Sequence, residues 1–104
     1  MGRFDVYANP EPGERRHTPY LLDVQNDYIA GLETRVVIPL RRELAFGPRA
    51  RGLHPLVQFA GENLVLDTAA IGAVPTAELR KLAGRVPEAR ADVQEALDTL
   101  FGAY

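Results

Sequence analysis

The helical period is confined to the C-terminal end of this chain. From Pro87 onward, Ala89, Val93, Ala96, Leu97, Leu100, Phe101 and Tyr104 recur at spacings of three and four, placing them on one stripe of an amphipathic helix. Pro87 suits the first helical position, and Glu88 complements the positive end of the helix dipole. Everything before Thr76 is broken into short pieces of another period. Residues 3–7 alternate polar and apolar. Residues 20–27 put Tyr20, Leu22 and Val24 on one face and Leu21, Asp23 and Gln25 on the other, as a strand does. A third strand is expected over 34–38, ending at Pro39, which cannot donate to a ladder. Strands over 56–59 and 64–68 form a hairpin around Ala60-Gly61-Glu62-Asn63, residues that favour turns. Residues 71–74 read as a further extended piece closed by Pro75. Residues 76–82 read as one or two helical turns, capped by Thr76 and broken at Gly84. Several short strands and one terminal helix predict an α+β fold, an antiparallel β-sheet or barrel core with a C-terminal α-helix. With 104 residues the chain makes one domain, 1–104, around one core.

Composition removes several kinds of chemistry. Cysteine, serine and tryptophan are absent, which excludes disulfides, thiolate catalysis, zinc–thiolate sites and a serine triad. Only His17 and His54 are available as imidazoles, too few and too far apart for a His-rich metal site. No metal or cofactor is therefore expected. A net charge of −2 argues against direct nucleic-acid binding, for which a basic face is usual. Eleven of the twelve cations are arginine, suited to bidentate pairing, though a GC-rich genome yields the same bias. No apolar run approaches the roughly 18 residues of a membrane span. Met1-Gly2-Arg3-Phe4 lacks an apolar secretory segment. A cytoplasmic protein without membrane contact is expected.

The end of the helix is its oddest part. Asp98-Thr99-Leu100-Phe101-Gly102-Ala103-Tyr104 contains no cation, although the negative dipole end favours one by about 0.3–1 kcal/mol. The plain reading is a frayed terminus with Phe101 anchored in the core. The functional reading is an anionic, aromatic tip awaiting a cationic surface, with arginine received by cation–π and carboxylate contacts. Elsewhere, Arg15, Arg16 and His17 could serve a ribonuclease as phosphorane stabilisers and proton shuttle, or be solvated loop charges. His54, between Leu53 and Pro55, reads as a partly buried structural residue. Asp23, Asp27 and Asp67 could hold a hard cation only if alternating strand positions converged. Arg41, Arg42, Arg49 and Arg51 face a single Glu43 in a loop over 41–52; they are either solvated or a surface for an acidic partner.

Taken in order, Phe4 to Tyr7, Asp23-Val24-Gln25 with Asp27, Val37-Ile38-Pro39-Leu40, Leu53 with Pro55 and Val57, Val74-Pro75, and Asp92, Ala96, Leu100 and Phe101 resemble the CcdB family. Members of that family are toxins that poison DNA gyrase and are neutralised by an antitoxin, CcdA. The resemblance implies an SH3-like barrel with a small extra sheet and a C-terminal helix, in a symmetric homodimer. It implies no catalysis and no cofactor. The implied partners are the DNA gyrase A subunit and a CcdA-type antitoxin, and operator DNA would be bound by the antitoxin. Carried over by position, the gyrase-binding surface comprises Tyr28, Ile29, Asp98, Phe101, Gly102, Ala103 and Tyr104. The antitoxin-binding surface is assigned to Arg41, Arg42, Arg49 and Arg51. Phe101 matches the family phenylalanine, but the Trp-Gly-Ile that comes after it in the family is Gly102-Ala103-Tyr104 here. The family tryptophan stacks on a gyrase arginine; Tyr104, two positions later, is the aromatic left for that contact. The alternatives are an endoribonuclease of the MazF/Kid type, which shares the general fold, and a non-toxic homologue that binds only the antitoxin.

Overall fold

The longest strand organises the others. In the computed structural model, which describes residues 1–29 and 31–102, β3 (Thr34–Arg42) runs for nine residues. The remaining strands are β1 (Asp5–Ala8), β2 (Tyr20–Asp23), β4 (Leu56–Phe59), β5 (Glu62–Leu66), β6 (Gly72–Pro75) and β7 (Leu82–Arg85). One side of β3 pairs with β2, with Tyr20 opposite Leu40 and Leu22 opposite Ile38. The other side is shared, its first half pairing with β6 and its end with β5. The resulting antiparallel sheet has the order β4-β5-β3-β2-β1-β7, with β6 branching from β3. It curls into a half-barrel, with a short helix α1 (Glu43–Phe46) after β3 and helix α2 (Arg90–Phe101) at the end.

Pro39 lies inside β3 rather than at its end, a correction to the expected third strand. The carbonyl of Pro39 accepts from Asp67 N at 3.0 Å, so its ring nitrogen faces the same side, toward β5 and β6. There β3 passes from one partner to the other: β6 pairs as far as Val37 and β5 begins at Leu40. The missing N–H falls in this gap and no ladder bond is lost.

Other boundaries also moved for local reasons. β2 stops at Asp23 because Asn26 turns the chain: its side chain accepts from Tyr28 N (2.9 Å) and its carbonyl from Ile29 N (3.2 Å), making a 3₁₀ turn over Asp27–Ile29. The β4–β5 hairpin is tighter than expected, with Phe59 opposite Glu62. Its two loop residues, Ala60 and Gly61, have φ of +52° and +78°, the doubly positive pattern that matches strand twist. The helical reading of 76–82 holds only for a 3₁₀ turn at Thr76–Glu78. From Leu82 the chain forms β7 instead, because the free edge of β1 needs backbone partners and local propensity yields to that need. Gly84 is thus a strand residue opposite Val6.

The expected alternation in β2 places the core. Phe4, Val6, Leu22, Val24, Ile38, Leu40, Val57, Leu64, Leu66, Val86, Ala89, Val93 and Ala96 fill the concave face, with Tyr20, Phe59 and Leu97 packed against them. Tyr7, Leu21, Val37 and Leu79 form a smaller cluster on the opposite face. Among the described residues, no helix is long and apolar enough to cross a membrane.

Candidate functional site

The 3₁₀ turn after β2 is built on a buried ion pair. Arg35 donates from Nε to Asp23 Oδ2 (2.7 Å) and from Nη2 to Asp23 Oδ1 (2.9 Å), a bidentate fork with Asp23 fully buried. The bond to Asp23 raises the Arg35 guanidinium further above its usual value, so the cation is permanent. Beside this pair, buried Gln25 accepts from Val36 N (3.0 Å) and donates to Ile29 O (3.2 Å). Asp27 lies 3.9 Å from Arg35 Nη2 and accepts from Arg3 N at 2.7 Å. The turn is therefore held through Asp27 and Gln25 while the side chains of Tyr28 and Ile29 are left to solvent. Tyr28 is 96% exposed and Ile29 50%.

Helix α2 enters through a 3₁₀ turn at Pro87–Ala89 that buries Ala89, and itself buries Val93 and Ala96. The apolar stripe does not stay buried to its end. Leu97 and Leu100 are half-buried, and Phe101 is 70% exposed, so the anchored-phenylalanine reading is overturned. Gly102 ends the helix at φ +72°, its N–H bonded to Asp98 O (2.9 Å), the left-handed stop for which glycine is suited. As the sequence suggested, no cation stands in the last turn. Asp98 Oδ1 accepts instead from Gln94 Nε2 (3.0 Å).

The two groups are linked through one residue. Arg3 bridges them, its main-chain N–H on Asp27 and its Nη2 on Gln94 Oε1 at 3.3 Å, one helical turn before Asp98. Of the sequence-assigned residues, Tyr28 and Ile29 lie in the 3₁₀ turn and Asp98, Phe101 and Gly102 at the end of the helix linked to it; Ala103 and Tyr104 lie outside the described residues. Arg3 and Gln94 were not singled out in the sequence. No spacing rule links two positions 91 residues apart.

The arginines of the β3 end and the loop after it are engaged differently. Arg41 pairs with Asp67 at 3.4 Å. Arg42 pairs with Glu62 at 3.1 Å and donates to the carbonyls of Arg15 and Arg16. Both therefore tie loops to the sheet. Arg49 donates to His54 O (2.9 Å) and, with exposed Arg51, lines a shallow depression with Gly52, His54 and Pro55. His54 is half-buried, as expected, its Nδ1 accepting from Ala50 N and its ring edge-on to Phe46. Arg15 donates to Asn9 O (2.6 Å), which holds it in the loop structure. Asp23, Asp27 and Asp67 are engaged by Arg35, Arg3 and Arg41 respectively. Among the described residues no cluster of three His, Cys, Asp or Glu could hold a metal ion.

Residues 3–102 match the family described as CcdB protein, and the curled sheet with its terminal helix is the architecture that resemblance implied. The chain belongs to the CcdB family. It is thereby a member of a family of toxins from toxin–antitoxin systems. The match to CcdB takes in Arg3, Tyr28, Ile29, Asp98, Phe101 and Gly102, and stops before Ala103 and Tyr104. No curated protein matches the chain significantly in sequence.

Proposed function

We propose that this protein is a homodimeric toxin that binds the A subunit of DNA gyrase and holds the enzyme in its DNA-cleaved state. The observation that carries this reading is the exposure of Tyr28, Ile29 and Phe101 on two elements that Arg3 links, with Asp98 on the second. Together they offer apolar area, an aromatic face and a carboxylate in a last helical turn that holds no cation, the receiving chemistry for an arginine on a partner. Gly102 closes that helix, and in sequence Ala103 and Tyr104 follow it, with Tyr104 as the aromatic that stands in for the family tryptophan. The harm comes from affinity, since a ligand shifts an equilibrium only by its differential affinity for one state. No catalytic residue, cofactor or direct DNA contact is required.

A CcdA-type antitoxin would fold an initially disordered, acidic segment onto the toxin. Arg49 and Arg51, with fully exposed Leu44 nearby in sequence, offer cations and an apolar anchor for it; Arg41 and Arg42 shape the adjoining edge. The test is purified protein with gyrase and supercoiled plasmid. Linear DNA after detergent and protease treatment is the expected product. RNA cleavage in the absence of gyrase would favour an endoribonuclease instead, and tight antitoxin binding with neither activity a non-toxic homologue.

A further inference from the structure

The two halves of the proposed surface come from distant parts of the chain, and residue 3 joins them. Gly2 and Asp5 close a turn, Asp5 N donating to Gly2 O (3.1 Å) and Gly2 N to Asp5 Oδ2 (2.8 Å). Phe4, at the third position of that turn, has φ +71°, a conformation a bulky residue adopts only when its surroundings impose it. Here they do: Phe4 N donates to Asp23 O (2.7 Å), its O accepts from Val86 N (2.9 Å), and its side chain is in the core. With Phe4 pinned, Arg3 is held between the turn and α2. Its guanidinium lies 4.9 Å above the Phe4 ring, and its Nε is out of water with no hydrogen-bond partner. The stacked group thus has its Nη2 on Gln94 and its main-chain N–H on Asp27. Gln94 passes the link to Asp98.

We propose that Arg3 is a positioning residue for the toxin surface: it sets the separation between the Tyr28–Ile29 turn and the α2 tip so that both meet one partner together. The idea rests on the gyrase reading for its consequence but not for its geometry. Preorganisation of this kind lowers the ordering cost of binding. It has little to do with stability, because the Arg3–Gln94 bond is exposed.

The experiment is a double-mutant cycle on affinity for the gyrase A subunit, using Arg3→Ala, Gln94→Ala and the double variant. Each single change is expected to weaken binding about ten-fold, with the melting temperature within a few degrees of the parent. The double variant should be no worse than either single one, a coupling of about ten-fold, and Arg3→Lys should restore part of the loss. Additive effects in the cycle overturn the proposal. A second arm needs no gyrase: in the free toxin, Asp27→Ala, which removes the acceptor of the Arg3 main-chain N–H, should accelerate hydrogen exchange at the Ile29 amide, and unchanged exchange there overturns it equally. If the parent protein does not bind gyrase, the functional reading fails while the exchange arm still decides the strut.

Discussion

Asp23 has no water to fall back on, so Arg35 must satisfy both its carboxylate oxygens, with Gln25 N sharing Oδ1 at 3.0 Å. Asp23→Ala leaves a buried guanidinium without its anion, and a loss of about 3–5 kcal/mol is expected, read from the shift of the urea midpoint. The double change Asp23→Leu with Arg35→Met should recover much of it, since the pair's cost lies in its desolvation. Tyr7 makes a second residue-scale prediction. Burial, then the charges of Asp5 and Asp23, push its phenol up from 10.0 to about 12, and its hydroxyl donates to Asp5 Oδ2 (3.3 Å). The folded chain therefore keeps a proton that the unfolded chain sheds. This contribution is complete below pH 10 and declines as pH rises toward about 12, by about 2–3 kcal/mol in all. Guanidinium unfolding of wild type and Tyr7→Phe across that window should show the difference between them shrinking; parallel profiles would contradict it. Neither role was visible in the sequence. Asp23 stood there as one of three candidate cation ligands, because its partner is 12 positions away on another strand.

At the scale of the element, α2 divides its labour along its length. Val93 is fully buried, so Val93→Ala should cost about 2 kcal/mol. Phe101 is mostly in water, and Phe101→Ala should change stability by only ~0.5 kcal/mol while abolishing plasmid linearisation by gyrase. A large stability loss for Phe101→Ala, measured by thermal melting, would mean the ring is a core anchor after all. Periodicity found this helix and its buried face, because both are local consequences of 3.6 residues per turn. It did not find where burial stops, since that depends on how far the sheet reaches beneath the helix. The same limit explains β7: Lys81, Leu82 and Ala83 suit a helix in isolation, and only the free edge of β1 recruits them into a strand.

For the molecule as a whole, the half-barrel is completed by a side chain. The two edges of the sheet path, β4 and β7, approach where Phe59 covers Gly84: a Cβ on Gly84 would sit 2.7 Å from Phe59 Cε1. Tyr20 meets the same ring edge-on at 5.0 Å, leaving Phe59 little room to retreat. Gly84→Ala should therefore destabilise by about 1–3 kcal/mol, with Phe59→Leu in the same background recovering part of it. An alanine tolerated without any change in midpoint would show the ring to be free to move. By itself the sequence settled what depends on neighbours in the chain: alternating strands, one amphipathic helix, the turn residues and an order of motifs sufficient for family membership. The tertiary structure alone decided what depends on partners far along it. Pro39 sits mid-strand because its nitrogen meets a gap between two partner strands. Gly84 is required because an aromatic ring from the opposite edge rests on it, and Arg3 reaches α2 because Phe4 is forced left-handed. Each follows from close packing and hydrogen-bond satisfaction between segments, which no local pattern encodes.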